Sequence, residues 1–393
     1  MKTTGRHNIL AIAAYVLIVA IGFLFTYQPL LHKLSVTFSP LEVEELYNSS
    51  QYVLPAPKET ISDAVLNAHA GYQNITGYDP TLISGEHPPF AKYLIGLGFL
   101  ITGYWKTTGI ALSLALMVGI TLWIWSRTKS HLATTTILFL LITDTNVRYQ
   151  LLDGPLMDII QITMLMTYIF FFTRFMKLAN SHTSQLGILL PAGISLGLLA
   201  SSKMFFPAVL IGVVSLFYSL TINRRLIMST LIKILSLFVL AGATYTLTYA
   251  IYFVLYEKSI IDFIKTQLWM LHYWIGNPVN DTKVLGALIP LVLFNKWFVW
   301  WGDSPIIAYE EWSIMWPIGF IAMIVSFIVY ARTRTNPHWE KIRYVTDFIA
   351  LWLIAVFLYL LTVPISPRYL LLLYVPGYVF IALTIYAARI QNK

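Results

Sequence analysis

Long apolar runs bounded by charged residues recur along the whole chain, and they limit its fold more than any other feature. An apolar run of roughly 17–25 residues has the length of a helix that crosses a lipid bilayer. We predict about ten such helices, near residues 9–28, 107–126, 131–145, 154–173, 184–201, 204–222, 230–256, 313–331, 345–363 and 369–387.

The composition agrees with a membrane protein. Only 11% of the 393 residues are charged and 58% are hydrophobic, whereas a soluble domain carries about a quarter charged residues. The chain contains no cysteine, which excludes disulfide bonds and thiolate metal sites. We therefore predict an all-α polytopic membrane protein in which residues 1–393 form a single membrane domain.

Basic residues determine the predicted orientation. If the N-terminus lies inside, the short inner segments carry most of the Lys and Arg residues, with Glu340 and Asp347 as their acids. This excess favours an N-in, C-in topology. Because it also accounts for the net charge of +8, we predict no nucleic-acid partner. The N-terminal apolar run is interpreted as a retained helix, since no small-residue cleavage site follows it.

Two long polar segments, 29–106 and 257–312, then share the external face. Within the second, residues 284–301 are apolar enough for an eleventh span, but Asn295, Lys296 and several tryptophans interrupt them. Aromatic enrichment is typical of a membrane interface, so we favour an external helix lying on the membrane. The expected location is the plasma membrane of a prokaryote, or the endoplasmic reticulum in a eukaryote.

The segment Glu86-His87-Pro88-Pro89 ends the polar part of the first external loop. Proline lacks an N–H donor and disfavours helical geometry in the residue before it, so Glu86 and His87 are expected in an extended loop. The apolar run that follows is too short to span a bilayer and suits an interfacial helix. The segment is either a rigid turn with a satisfied histidine or one wall of an active site.

Three carboxylates begin the first external loop, at Glu42, Glu44 and Glu45. On a helix, Glu42 and Glu45 share one face and Glu44 points elsewhere. The group is either a solvated loop face or the source of a general base, with a pKa raised by neighbouring carboxylates and by the membrane.

Charged residues also lie at the external ends of predicted spans. Arg148 and Asp153 precede or open the fourth span, and Asp158 lies about one turn deeper. Asp153 either complements the helix dipole or belongs to a site, whereas a carboxylate within a span, such as Asp158, usually marks function. Lys203 and Arg368 either snorkel to the interface or contact a phosphate.

The second external loop contains Gln267, His272 and neighbouring aromatic residues. They form either an aromatic interface helix or a pocket wall for a sugar or a polyprenyl chain. Three matches to the N-glycosylation pattern, at Asn48, Asn74 and Asn280, fall in the external loops, which agrees with the topology.

These segments, in this order, resemble motifs of the protein O-mannosyltransferase family and its bacterial and archaeal relatives, which are multi-spanning glycosyltransferases of the GT-C fold. GEHPPFAKYLIGLG resembles the family's His-Pro-Pro-(Leu/Phe)-x-Lys segment, RYQLLDGPLM its Arg-Tyr-x-Leu-Leu-Asp stretch, and GLLASSKMFF its Gly-Leu-(Ala)-x-Ser-(Thr)-Lys stretch. Weaker similarities are QLWMLHYW and SPRYLLLLYVPG, and the motifs extend over roughly residues 40–375.

The resemblance implies a GT-C-like helix bundle that transfers mannose or a similar hexose from a polyprenyl-phosphate carrier. The acceptor is a hydroxyl of a protein Ser/Thr or a glycolipid on the external face. The resemblance places the catalytic base at Glu44 or Glu45, with Glu42 as a rival. The departing phosphate needs cations. The expected substrate-binding residues are Glu86, His87, Lys92, Arg148, Asp153, Lys203, His272 and Arg368.

The predicted partners are the polyprenyl-phosphate-linked sugar donor, a protein or lipid acceptor, and membrane lipids. Direct in-line displacement would invert the anomeric centre. No cofactor is assigned, but a divalent cation such as Mg²⁺ or Mn²⁺, held by Glu86, His87 or Asp153 against the phosphate, is an open option.

Two other functions compete with this one. A transporter or flippase for a lipid-linked or anionic substrate would place charges near the bilayer midplane and often contains inverted repeats. Here the charges lie mostly at one face and no repeat is apparent. A non-catalytic assembly subunit could retain the fold without the activity.

Overall fold

The computed structural model describes residues 17–57, 60–178, 186–222, 227–276, 284–299 and 305–391. The elements in chain order are α1 (Leu17–Thr26), α2 (Pro40–Asn48), α3 (Asp63–Ile75), α4 (Pro89–Thr102), α5 (Thr107–Thr128), α6 (His131–Thr143), α7 (Thr145–Leu152), α8 (Met157–Leu178), α9 (Leu186–Ala200), α10 (Phe206–Ile222), α11 (Ile227–Leu247), α12 (Ala250–Val254), α13 (Ile260–Gly276), α14 (Leu288–Phe294), β1 (Trp297–Phe298), β2 (Ile306–Ile307), α15 (Met315–Thr333), α16 (Arg343–Thr362) and α17 (Leu371–Gln391). Within the described residues, 3-10 helices lie at Gln28–Ser35, Pro337–Trp339 and Pro367–Leu370.

The chain is an all-α, multi-pass membrane protein, as predicted. Among the described residues, six helices are long and apolar enough to cross a membrane, namely Thr107–Thr128, Met157–Leu178, Thr230–Leu247, Met315–Thr333, Arg343–Thr362 and Pro367–Ile390. The other four predicted spans coincide with apolar helices of 10–17 residues. The predicted spans thus correspond to six long helices and four shorter apolar ones. The first predicted span, 9–28, begins outside the described residues.

Contacts within the chain divide it into two compact units, each built from separated segments. The first unit comprises Met1–Ser35, Ser113–Leu152 and Lys283–Lys393, and the second comprises Val36–Leu112 and Asp153–Thr282. The expectation of a single membrane domain over 1–393 stays a prediction.

In the second unit, local sequence signals begin the helices of the first external loop. Ser39 and Glu42 form a reciprocal capping box, in which Glu42 Oε2 accepts the Ser39 backbone N–H at 2.6 Å. The Ser62 hydroxyl accepts the Val65 N–H and caps α3. Such caps satisfy backbone donors that a helix N-terminus leaves unpaired.

Close backbone approach then packs α3 against α4. A Cβ atom added to Gly96 would lie 1.9 Å from the carbonyl oxygen of Gly71, and one added to Gly71 would lie 2.8 Å from Gly96 N. Only residues without a side chain allow this crossing. The crossing fixes α4, whose first residue, Pro89, follows the Glu86-His87-Pro88 segment.

In the first unit, a buried carboxylate joins two helices. Asp144 Oδ1 accepts the backbone N–H groups of Asn146 and Val147 at the start of α7, and Asp144 Oδ2 accepts the Tyr378 hydroxyl of α17 at 2.6 Å. The Asn146 amide donates to the Pro367 carbonyl at 3.2 Å. The segment before α17 is thus tied to α7.

The ambiguous segment 284–301 also belongs to the first unit. Its described part contains the seven-residue helix α14, followed by β1, which pairs with β2 in an antiparallel ladder. Asn295 ends α14 in a left-handed conformation. An eleventh span does not form over these residues, and the expected membrane-lying helix is limited to seven residues.

The N-glycosylation matches differ in exposure. Asn48 is exposed at the end of α2, whereas Asn74 is fully buried in α3. An oligosaccharide transferase needs an accessible amide, so the folded protein does not present Asn74 as an acceptor. Asn280 lies outside the described residues.

Candidate active site

A turn, not an extended loop, carries Glu86 and His87. The His87 backbone N–H donates to the Ser84 carbonyl at 3.1 Å, and Ser84 has a positive φ of 51°. Pro88 is extended, with φ −61° and ψ 161°, and Pro89 begins α4. The prolines therefore end the turn and start the helix, as their missing N–H groups favour.

The His87 ring is oriented by the backbone of a distant loop. Its Nδ1 atom lies 2.7 Å from the Lys203 carbonyl oxygen. A carbonyl can only accept a hydrogen bond, so Nδ1 carries the proton. Burial lowers the pKa of His87; the Glu86 carboxylate opposes this shift, while the ammonium groups of Lys203 and Lys92 reinforce it. The neutral ring therefore has its lone pair on Nε2.

The loop 201–205, between α9 and α10, connects the predicted motifs. Lys203 Nζ lies 2.6 Å from Asp158 Oδ1, and both residues are 5% exposed. The Gln161 amide donates to the Met204 carbonyl at 3.1 Å, and the Ser201 hydroxyl accepts the Phe90 N–H at 3.4 Å. The His-Pro-Pro, Gly-Leu-Leu-Ala-Ser-Ser-Lys and Asp158 segments thus meet at one loop.

Asp158 has a shallower position than the sequence predicted. Helix α8 begins at Met157, so Asp158 lies in its first turn. There its charge complements the helix dipole as well as the Lys203 ammonium. Asp153 lies in the turn before α8 and is partly buried.

Lys92, a predicted substrate-binding residue, donates its hydrogen bonds to backbone carbonyls. Its side chain is fully buried, and Nζ donates to the carbonyls of Pro80, Ile83 and Ser84 at 2.6, 3.2 and 3.1 Å. An ammonium has three donors, so all three are used by backbone carbonyls. Burial lowers the pKa of Lys92 to about 8. Lys92 therefore holds the turn that carries Glu86.

Helix α13 contributes Trp274 to the site. The Trp274 indole N–H donates to the Glu86 carbonyl at 3.0 Å, and its ring lies 5.3 Å from the His87 ring. The Tyr273 ring packs edge-on against Trp274 at 5.4 Å. His272, the predicted site residue, is exposed on the same helix. The contact with the Glu86 turn is thus made by Trp274, two residues after His272.

The three first-loop glutamates have different environments. Glu42 is exposed and fixed in the capping box, and hydrogen bonds from Ser39 lower its pKa. Glu45 is exposed, whereas Glu44 is partly buried. Tyr47, on the same helix, has its pKa raised by burial and further by the charge of Glu86. The Tyr47 ring stacks on the His69 ring of α3 at 4.3 Å.

Arg148 and Arg368 belong to the first unit. Arg148 forms an ion pair with Glu311, and Lys33 Nζ lies 3.7 Å from the other oxygen of the same carboxylate. Arg368 lies in the 3-10 helix before α17 and is partly buried. Glu311 was not among the predicted residues, because an acid in a loop gives no sequence signal of its partner.

An apolar groove of about 570 Å³ lies among α9, α10, α11 and α13 in the second unit. Small side chains leave the space of the groove, and its lining includes residues exposed at the helix surface, such as Val209 and Val213. Tyr245 and Gln267 are the polar groups of its lining, and Phe205 lines it from the 201–205 loop. The small lining residues are Gly197, Ala200, Ala208, Gly212, Ala241 and Gly242.

The described residues contain no group of three or more His, Asp or Glu side chains placed to hold a metal ion. Glu86 and His87 form a pair, and a hard divalent cation takes six or more ligands. These two side chains would need waters or other oxygen ligands to complete a coordination shell. The Mg²⁺ or Mn²⁺ option stays a prediction, and no step below is assigned to a metal.

Comparisons with known proteins give structural matches. No family model and no curated protein sequence match the chain. The archaeal oligosaccharyltransferase AglB from Archaeoglobus fulgidus, in complex with an inhibitory peptide and a dolichol-phosphate, is similar with a TM-score of 0.53 and 12% identity, over 97% of this chain and 50% of that one. ArnT from Cupriavidus metallidurans, bound to undecaprenyl phosphate, is similar with a TM-score of 0.53 and 13% identity, over 98% of this chain and 60% of that one.

The fold is that of the GT-C membrane glycosyltransferases. The chain spans half to three-fifths of the length of these solved proteins. The GT-C fold expected from the motifs is confirmed. A structural similarity at 12–13% sequence identity does not show membership of the O-mannosyltransferase family.

Proposed function

We propose that this protein is a membrane glycosyltransferase that moves a sugar from a polyprenyl-phosphate carrier to a hydroxyl acceptor. The observation that carries the proposal is the 201–205 loop of the second unit. Lys203 contacts His87 and Asp158, and Phe205 lines the apolar groove. A polar cluster and an apolar groove that share one short loop suit a substrate with a polar head and a hydrocarbon tail.

The fold supports the same class of donor. AglB and ArnT were solved with a dolichol-phosphate and with undecaprenyl phosphate, respectively. In our proposal the groove among α9, α10, α11 and α13 takes the first part of such a chain. Its volume of about 570 Å³ lies within the usual range of ligand pockets, about 300–1,000 Å³.

The proposed reaction is a single displacement. The acceptor oxygen attacks the anomeric carbon while the bond from that carbon to the phosphate oxygen breaks. The acceptor proton passes to a carboxylate, and the polyprenyl phosphate leaves with the bonding electron pair. Attack opposite the leaving group inverts the anomeric centre. Because the leaving group is an anion already, the site needs a base more than a strong acid.

We assign the base to Glu44. It is the partly buried member of the three first-loop glutamates, and a general base needs a carboxylate that is held in place beside the acceptor. Glu42 is committed to the helix cap and Glu45 is exposed. Lys203 positions His87 through its carbonyl, while Arg148 and Arg368 stay our candidates for the phosphate contact.

The sugar and the acceptor are assigned from the order of the motifs that resemble the O-mannosyltransferase family. Mannose or a similar hexose is the proposed sugar, and a protein Ser/Thr or a glycolipid is the proposed acceptor. The distribution of basic residues supports an N-in, C-in topology. We accordingly propose a site on the external face of a prokaryotic plasma membrane.

An assay in reconstituted vesicles distinguishes a glycosyltransferase from a transporter. Purified protein in liposomes would receive radiolabelled polyprenyl-phosphate mannose and a panel of Ser/Thr peptides and glycolipids. We expect label in an acceptor and release of polyprenyl phosphate. Movement of the donor across the bilayer without any label transfer would instead support a flippase and overturn the proposal.

A further inference from the structure

Two hydrogen-bond acceptors lie side by side in the Glu86 turn. His87 Nδ1 donates to the Lys203 carbonyl at 2.7 Å, which leaves Nε2 as the acceptor of the neutral ring. Nε2 lies 3.8 Å from Glu86 Oε1. This distance exceeds a hydrogen bond, so the two atoms do not satisfy each other.

Both acceptors are fixed and accessible. Glu86 Oε1 already accepts the Ser84 hydroxyl at 3.0 Å, and the Glu86 backbone carbonyl is held by Trp274. The side chains of His87 and Glu86 are 14% and 22% exposed. A ligand that offers two neighbouring donors can therefore reach them without rearranging the turn.

Aromatic rings form the wall next to this acceptor pair. The Trp274 ring lies 5.3 Å from His87, and Tyr273 packs edge-on against it at 5.4 Å. Burial raises the pKa of Tyr273, and the Glu86 charge raises it further. Aromatic faces beside fixed acceptors suit the apolar face and the hydroxyls of a sugar ring.

We infer that Glu86 and His87 form a sugar subsite that accepts hydrogen bonds from two adjacent hydroxyl groups of a neutral pyranose, with Trp274 as its aromatic wall. The inference rests on the proposed function and identifies this pyranose as the sugar of the donor. Two adjacent hydroxyls supply two separate O–H donors, one for Nε2 and one for the carboxylate.

An amino sugar is the competing ligand for this acceptor pair. Its protonated amine would be attracted by the Glu86 carboxylate, while the Lys203 and Lys92 ammonium groups oppose a positive charge on the neighbouring His87 ring. The experiment therefore includes an amino sugar beside the neutral donor.

The test compares sugar recognition in three forms of the full chain: wild type, Glu86→Gln and His87→Asn. The Asn side chain can still donate to the Lys203 carbonyl but lacks the Nε2 acceptor. The probes are polyprenyl phosphate alone, polyprenyl-phosphate mannose, analogues that each lack one ring hydroxyl, and a polyprenyl-phosphate amino sugar. Binding is measured in detergent or nanodiscs, and thermal unfolding reports the folding of each variant.

In the wild type, we expect two analogues lacking adjacent hydroxyls to bind about ten- to hundred-fold more weakly than the mannose donor, the range for a hydrogen bond to a charged or polar partner. In each folded variant one of these two penalties should shrink to less than about three-fold. The affinities of the wild type and both variants for polyprenyl phosphate alone should agree within the same limit of about three-fold.

Three results would overturn the subsite. They are equal penalties in wild type and both variants, penalties at hydroxyls that are not adjacent, and tighter binding of the amino sugar than of the neutral donor. If one variant does not fold, the other decides the question. Failure of the wild type to bind polyprenyl phosphate or to transfer sugar at all would instead count against the proposed function.

Discussion

Lys203 contacts the rest of the second unit through both ends of the residue. Its ammonium lies 2.6 Å from Asp158 Oδ1 at the start of α8, and its carbonyl accepts the His87 Nδ1–H bond at 2.7 Å. The ion pair therefore fixes the backbone that orients the histidine. A substitution at Asp158 should consequently alter the orientation of the His87 ring through Lys203.

Removal of one member of this pair should be strongly destabilising. Lys203→Met leaves the Asp158 carboxylate buried without its cation, which costs about 3–5 kcal/mol in comparable buried pairs. Thermal unfolding in detergent measures the loss. The matched control is the double variant Lys203→Met/Asp158→Leu, which removes both charges and should be more stable than the single variant. Additive losses in the double variant would show that the two side chains are not coupled.

Glycine at position 96 should be required for the α3–α4 crossing. A Cβ there would lie 1.9 Å from the Gly71 carbonyl oxygen, so Gly96→Ala must push two backbones apart at about 1–3 kcal/mol or more. Gly119→Ala in α5 is the control, because nothing lies within 4 Å of an added Cβ. We expect a lower unfolding temperature for Gly96→Ala alone. Equal unfolding temperatures would contradict the close crossing.

His69 should make stability depend on pH in the acidic range. It is buried in α3, its ring stacks on Tyr47 at 4.3 Å, and burial lowers its pKa to about 4. Between about pH 6.5 and 4 the unfolded chain binds a proton that the folded chain does not, so stability falls as pH falls. His69→Phe keeps the stack and removes the titration. We expect a smaller loss of unfolding temperature over this range, and an unchanged profile would show that His69 is not buried as described.

Substitutions of Arg148 and of its partner Glu311 should change the apparent affinity for the donor in opposite directions. If Arg148 contacts the donor phosphate, Arg148→Ala raises the apparent KM for donor, and Glu311→Gln lowers it because the competing carboxylate is neutralised. Arg148→Lys should restore part of the affinity, since it keeps the charge but loses the planar fork. Unchanged donor affinity in all three variants would exclude Arg148 from the phosphate site and leave the ion pairs of Glu311 with Arg148 and Lys33 structural ones.

Features carried by local sequence could be predicted. Pro89 begins α4 as its missing N–H group favours, and Ser39 three residues before Glu42 gives the capping box of α2. Apolar run length predicted the all-α membrane class, which the six long apolar helices and the shorter apolar helices of the described residues confirm.

Partners far apart in sequence could not be predicted. Lys92 was expected among the substrate-binding residues, and the chain turns back so that three backbone carbonyls accept its hydrogen bonds. Trp274 reaches Glu86 across 188 positions, and Glu311 reaches Arg148 across 163. No periodicity or motif records such pairings, because they arise from how helices pack and not from local preference.

The role of Glu44 is the central claim, and one measurement tests it most directly. Purified wild type, Glu44→Gln and Glu45→Gln are given polyprenyl-phosphate mannose and an acceptor, and released polyprenyl phosphate is quantified under single-turnover conditions. Both variants change one carboxylate to an amide on the same helix, so they match in size and in charge lost. We expect Glu45→Gln to keep most of the wild-type rate and Glu44→Gln to lose about 10²-fold or more, as expected when a general base is removed. Full activity in Glu44→Gln, or a greater loss in Glu45→Gln, would contradict the account.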